Sequence, residues 1–187
     1  ARKVSAATLA ELKEADVGRW KGAAFAGERI PELGEVLATV PAGRRVFIEI
    51  KSGAGVVGAL ERCLAQHGPP PGRAVIISFD RQAARAAKQA LPRFEVCLVV
   101  DTAADMSAGA IDSLLDACGE LGLDGLDFPA RWPLDDRAVE AVHQRGGKVY
   151  VWTVDDVRTA RRLEAAGVDG ITTNRPGWLR AQLAAEA

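Results

Sequence analysis

Cysteine and histidine are scarce in this 187-residue chain, with three of one and two of the other. Cys63, Cys97 and Cys118 are odd in number and widely spaced, so they supply no disulfide framework. Together with His67 and His143 they form no cluster of the metal-binding type. They are expected to be small core residues of a reducing compartment, which points to a cytoplasmic protein. No apolar run approaches the roughly 20 residues that span a bilayer, so no membrane span is expected. Neither sign of charge dominates: 24 Lys and Arg stand against 25 Asp and Glu, for a net charge of −1. That balance offers no electrostatic reason to expect nucleic acid or an anionic membrane as a partner. No signal peptide is visible at the start, and the chain opens Ala1-Arg2-Lys3 without an initiator Met.

What is present is an ordinary globular composition, 48% apolar and 26% charged, in a length that suits one domain, residues 1–187. One grammar repeats: a short β-branched run, a polar loop, then an amphipathic helical pattern. The runs are Val46–Lys51, Ala74–Phe79, Glu95–Val100, Leu123–Phe128, Lys148–Val154 and Val168–Thr173. The helical patterns between and after them are Gly55–Gln66, Arg81–Ala90, Ser107–Leu121, Asp135–Arg145, Asp156–Ala166 and Pro176–Ala185. Ser107 and Asp155 are expected N-caps, and Gly68, Gly122, Gly146 and Gly167 expected stops. Strict βα alternation implies parallel strands joined by right-handed crossovers, in an open doubly wound sheet or a (β/α)8 barrel. The first 45 residues depart from this grammar, with one helix over Thr8–Ala15, capped by Thr8, and another over Pro31–Val40. Six strands fall short of the eight that usually take about 250 residues. The expectation is a TIM barrel with two βα units missing before Ala1.

In either architecture, sites form at the carboxyl ends of the strands. The residues there are Glu49, Lys51, Ser78, Asp80, Asp101, Asp127, Trp152, Thr153 and Thr173 to Arg175. In Val46-Phe47-Ile48-Glu49-Ile50-Lys51, alternation puts Phe47, Glu49 and Lys51 on one face. Opposite charges ending an apolar strand point to a polar cavity, a metal or an anion, because an unpaired buried ion is costly. A carboxylate suits a hard cation such as Mg²⁺ or Ca²⁺, and the adjacent lysine a phosphate oxygen. The plainer alternative is an internal ion pair that fills the barrel. Ser78 is as well suited to bonding its own loop as to bonding a ligand, and Asp127 to a turn as to a cavity. His67 and His143 fall in the last turns of helices, at the end opposite the site, where each interacts with a helix C-terminus.

Ordered segments of the chain resemble the glycerophosphodiester phosphodiesterase family, a (β/α)8 barrel. They are Thr8-Leu-Ala-Glu-Leu-Lys13, Arg29-Ile-Pro-Glu-Leu-Gly-Glu-Val-Leu37, Phe47-Ile-Glu-Ile-Lys51, Ile77-Ser-Phe-Asp80, Val149-Tyr-Val-Trp-Thr-Val154 and Gly167-Val-Asp-Gly-Ile-Thr-Thr-Asn-Arg-Pro176. The resemblance implies hydrolysis of a glycerophosphodiester, a small-molecule substrate, to glycerol 3-phosphate and an alcohol with a divalent cation, Mg²⁺ or Ca²⁺. It makes Glu49 a metal ligand, Lys51 a phosphate-binding residue and Trp152 an aromatic of the substrate pocket. The family's two histidines and its Glu-x-Asp metal pair have no counterpart here, and the residues as they stand are expected to be inactive alone. Two further readings remain. One is a non-catalytic barrel that binds a phosphorylated ligand. The other is a dinucleotide site at Gly53-Ala54-Gly55-Val56-Val57-Gly58, which matches G-x-G-x-x-G although charges end the strand before it.

Overall fold

The computed structural model describes residues 3–101, 106 and 109–185. Six strands form one sheet: β1 (Val46–Glu49), β2 (Ala74–Ser78), β3 (Glu95–Val99), β4 (Gly125–Pro129), β5 (Lys148–Trp152) and β6 (Gly170–Ile171). They lie in chain order, every neighbouring pair parallel. Two short helices, α1 (Leu9–Lys13) and α2 (Leu33–Ala38), precede β1. Each strand is then followed by a helix: α3 (Val57–His67), α4 (Arg81–Ala90), α5 (Ala110–Leu121), α6 (Asp136–Gln144), α7 (Val157–Ala166) and α8 (Pro176–Ala184). This is the (β/α) barrel pattern in a six-strand arc, with β1 and β6 at the sheet edges.

Alternation along the strands divides the core into an outer and an inner layer. Outward residues pack under the helices: Ala74, Ile76 and Val96 against Leu60, Leu64, Ala84 and Ala87, and Leu126, Phe128, Val149 and Val151 against Leu115, Val142 and Leu163. Alanines at 83, 84 and 87 leave α4 a smooth face that lies close on β2 and β3. Inward residues form a smaller cluster of Val75, Cys97 and Tyr150 with Ile77 beside it. Phe47 of β1 meets Tyr150 of β5 edge-on, ring centroids 4.9 Å apart. Contact between strands four places apart requires the sheet to be rolled, with its inner face concave. Below that contact Arg45 donates to the Tyr150 hydroxyl at 2.8 Å and to Glu95 at 2.7 Å, and Tyr150 donates to Glu95 at 2.6 Å. This network closes the amino-terminal end of the arc.

Several boundaries differ from the sequence expectation, each for a local reason. The second helix begins at Leu33, because the Glu32 amide donates to Glu35 at 2.6 Å and Pro31 stays outside. β4 begins at Gly125, since the Leu123 amide is spent on the Cys118 carbonyl that closes α5. Asp156, not Asp155, caps α7, accepting from the Thr159 amide at 2.9 Å. Thr8 caps α1 through a capping box with Glu11, while the expected Ser107 cap lies outside the described residues. Gly125 stands opposite Lys148 in the β4–β5 register. A Cβ there would approach the Lys148 backbone nearer than 3 Å, and backbone cannot turn aside as a side chain can. Gly125→Ala is therefore expected to lower stability by about 1–3 kcal/mol in urea unfolding, by overpacking.

Candidate active site

The carboxyl ends of β1, β4 and β5 converge at the open mouth of the arc. Glu49 closes β1 on its inner face, one residue pair above Phe47. Lys51 follows the last ladder pair and reaches back, its Nζ 3.2 Å from a Glu49 carboxylate oxygen. The Glu49 side chain is 28% exposed and that of Lys51 is 76% exposed. The pair is thus not the ion pair filling the barrel that the sequence left open. It stands in water at the rim, where such a contact contributes about 0–1 kcal/mol. Both groups therefore remain available to a ligand at little cost. They also line a cavity of about 650 Å³ beside the β1 edge, together with Ser52, Val56 and Leu60.

Asp127 is the inward residue of β4, between the outward Leu126 and Phe128, and only 3% of it is exposed. Burial first, and the negative charge of Glu49 second, push its carboxyl up to about 7 from the usual carboxylate range. Its Oδ1 is buried without a hydrogen-bond partner among the described residues. Trp152 ends β5 half-buried, and its indole N–H donates to the Asp127 main-chain carbonyl at 3.2 Å. Phe79 meets the indole edge-on at 5.6 Å, and the two rings make an aromatic corner at the mouth. In the sequence alone Phe79 has no assigned role, and Asp127 suits a turn as well as a cavity. Strand parity, with Gly125, Asp127 and Pro129 on one face, was the signal that separates those two readings.

Other residues at the strand ends maintain the loops. Ser78 is fully buried: its hydroxyl donates to the Ile50 carbonyl at 2.8 Å and accepts from the Asp80 amide at 3.1 Å. Asp80 caps α4, accepting from the Gln82 and Ala83 amides. Asp155 holds the loop after β6, accepting from the Thr173 hydroxyl, the Asn174 amide and the Asn174 side chain at 2.8 Å each. Those bonds hold its carboxyl below the usual range. They also explain why it does not cap α7. Arg175 stacks over Trp178 at 3.7 Å. His67 ends α3 with its ring against Gly34. His143 ends α6 and lies 2.9 Å from Asp169, beside Lys148 at the start of β5. Both histidines thus belong to the amino-terminal end of the arc, as their positions in the sequence implied. In the glycine run, Gly53 has φ +78° and turns the chain after β1, but Gly58 meets only the Arg62 side chain and packs on no strand. The third glycine of a dinucleotide fingerprint exists for that packing, so the run is a turn and a helix start.

Among the described residues no group of three or more His, Cys, Asp or Glu could hold a metal ion. The two inward carboxylates of the arc's upper end are Glu49 and Asp127, and Asp127 has an oxygen with no partner among the described residues. All-oxygen donors suit a hard cation, and Mg²⁺ is commonly held by one or two carboxylates with substrate phosphate and water completing its shell. The donor set is consistent with such an ion.

Residues 1–178 match the glycerophosphoryl diester phosphodiesterase family. The chain belongs to that family. The glycerophosphodiester phosphodiesterase of Caldanaerobacter subterraneus subsp. tengcongensis is 32% identical over 180 residues, which cover 92% of this chain and 69% of that one. A glycerophosphodiester phosphodiesterase of Bacillus subtilis is 26% identical over 187 residues, covering 90% of this chain and 62% of its own. Among solved structures, an Oleispira antarctica phosphodiesterase in complex with the product sn-glycerol-3-phosphate superposes with a TM-score of 0.82 at 25% identity. That match covers 98% of this chain and 72% of the other. Membership in the phosphodiesterase family makes the six-strand arc part of a TIM barrel. No helix among the described residues is long and apolar enough to cross a membrane.

Proposed function

We propose that this phosphodiesterase-family chain serves metal-dependent hydrolysis of glycerophosphodiesters to glycerol 3-phosphate and an alcohol. The observation that carries the reading is the Glu49–Lys51 pair, an inward carboxylate and an exposed ammonium 3.2 Å apart at the catalytic end of a family barrel. Glu49 would hold a divalent cation, Mg²⁺ or Ca²⁺. When bound, such an ion offsets the charge of the phosphodiester and polarises its oxygens. Lys51 then exchanges its contact with Glu49 for a phosphate oxygen, as a point charge on a flexible stem. Trp152, held by its indole N–H and by Phe79, presents an apolar wall to the glycerol moiety.

Hydrolysis of glycerophosphocholine by the full-length protein, followed as released choline, tests this reading. Activity in Mg²⁺ or Ca²⁺ should vanish in EDTA and return when the cation is restored. Activity that persists in EDTA would remove the cation from the mechanism. The position of both histidines at the far end favours a second reading, a barrel that binds a phosphorylated ligand without turnover. Glycerol 3-phosphate binding by calorimetry in a protein that releases no choline would select it.

A further inference from the structure

We propose that the loop between α1 and α2 docks on an anionic phospholipid surface, with Trp20 as its anchor. Trp20 is 84% exposed, and Val17 and Phe25 of the same loop are exposed beside it. The indole N–H donates to the Val17 carbonyl at 2.8 Å, so the ring faces solvent with its only polar group already satisfied. The loop holds the ring out in a fixed place. The Val17 amide donates to the Glu28 carbonyl at 2.9 Å and closes the loop at its base. Asp16 accepts from the amides of Gly18, Arg19 and Gly27 at 2.9–3.0 Å. Gly18 lies so near the Phe25 carbonyl that a Cβ there would fall inside 3 Å. A loop ordered in this way has already lost the conformational entropy that docking would otherwise cost.

Charge identifies the partner. From Val17 to Gly27 the chain carries two cations, Arg19 and Lys21, and no acid; Glu14, Asp16 and Glu28 stand at the base. The net charge of −1 for the whole chain conceals this local excess. Arg19 Nε lies 3.2 Å from Asp16, yet its side chain is 79% exposed, and Lys21 Nζ lies 5.2 Å over the Phe25 ring. Aromatic rings interleaved with cations on long apolar stems suit the headgroup layer of a bilayer: the rings reach the acyl boundary and the cations stay among the phosphates. A stable protein interface engages about 20–30 residues a side, far more than the three apolar side chains of this tip. The loop runs directly into Glu32 and Leu33, which line the cavity shared by Glu49 and Lys51, so docking brings a lipid surface beside the mouth of the arc.

Co-sedimentation of the full-length protein with vesicles tests the proposal, using phosphatidylcholine alone and phosphatidylcholine mixed with an equal part of phosphatidylglycerol. Binding to the mixed vesicles is expected, weakening as salt is raised. Trp20→Ala should reduce it by about tenfold or more and Lys21→Gln by about fivefold, with thermal melts close to wild type because neither side chain is buried. Vesicles with brominated acyl chains should quench indole emission in wild type and not in Trp20→Phe, which marks Trp20 as the ring that enters. Equal binding by Trp20→Ala and wild type, or quenching that persists in Trp20→Phe, would overturn the assignment of Trp20. No binding to the mixed vesicles would overturn the lipid partner, and self-association in sedimentation velocity that Trp20→Ala abolishes would give the loop to a second copy of the chain. Should Trp20→Ala not fold, Trp20→Gln decides by the same criterion.

Discussion

Glu49→Gln is expected to lower kcat/KM for glycerophosphocholine on the order of 10²- to 10³-fold, the loss typical of removing one preorganised electrostatic group. Stability should change little. Among the described residues the carboxylate pairs with a lysine whose side chain is 76% exposed, and a pair of that kind holds little folding energy. Gln keeps the volume and the strand position while it removes the charge. Lys51→Met provides the contrast. It removes the same ion pair, so a purely structural role would make the two variants equivalent in stability and in rate. If Lys51 grips the phosphate while Glu49 holds the ion, Lys51→Met raises KM with cation affinity unchanged, and Glu49→Gln weakens the cation. Steady-state kinetics at several Mg²⁺ concentrations, beside thermal melts, separates these outcomes. Equal kcat/KM in Glu49→Gln and wild type would remove Glu49 from the site.

Strand parity was enough to place Glu49 on the inner face at the end of β1, because a charge on the apolar face of a strand is anomalous wherever it occurs. The barrel arrangement followed from regular βα alternation, and Arg81–Ala90 matches α4 at both ends, since Asp80 caps it and Leu91 follows. What sequence could not resolve was competition among neighbours for the same bond. Asp155 and Asp156 are both competent caps, and the contest is decided by Thr173 and Asn174, eighteen and nineteen residues away from Asp155. Ser78 had two equal uses until the Ile50 carbonyl across the β1–β2 ladder took its proton. Asp127 is the most consequential such case. Asp before Phe-Pro is a plausible turn, and only the ladder to β5, which runs through Pro129, makes it a buried strand residue. Its role depends on what else is aimed at the same space, and that is a property of the rolled sheet.

The same burial makes Asp127 a liability to the fold once its carboxyl ionises. In EDTA, Asp127→Asn is expected to stabilise the protein at pH 8 by about 2–4 kcal/mol, and by much less near pH 4. The sign follows from linkage. The folded-state carboxyl is raised to about 7 from its ordinary 3.8, so the folded protein binds the proton more tightly than the unfolded chain. Stability is fully present below pH ~4, falls as pH rises through about 7, and is flat above. A difference of roughly three units at 1.36 kcal/mol per unit sets the ceiling near 4 kcal/mol. Asn keeps the shape without the charge, so its unfolding curve should lack that slope. Urea unfolding of both proteins at pH 4, 6 and 8 measures the divergence, and parallel pH profiles would show that Asp127 is not a raised, buried carboxyl. Because Glu49 contributes to the shift, Glu49→Gln should narrow the same window, and the two substitutions together should gain less than their sum.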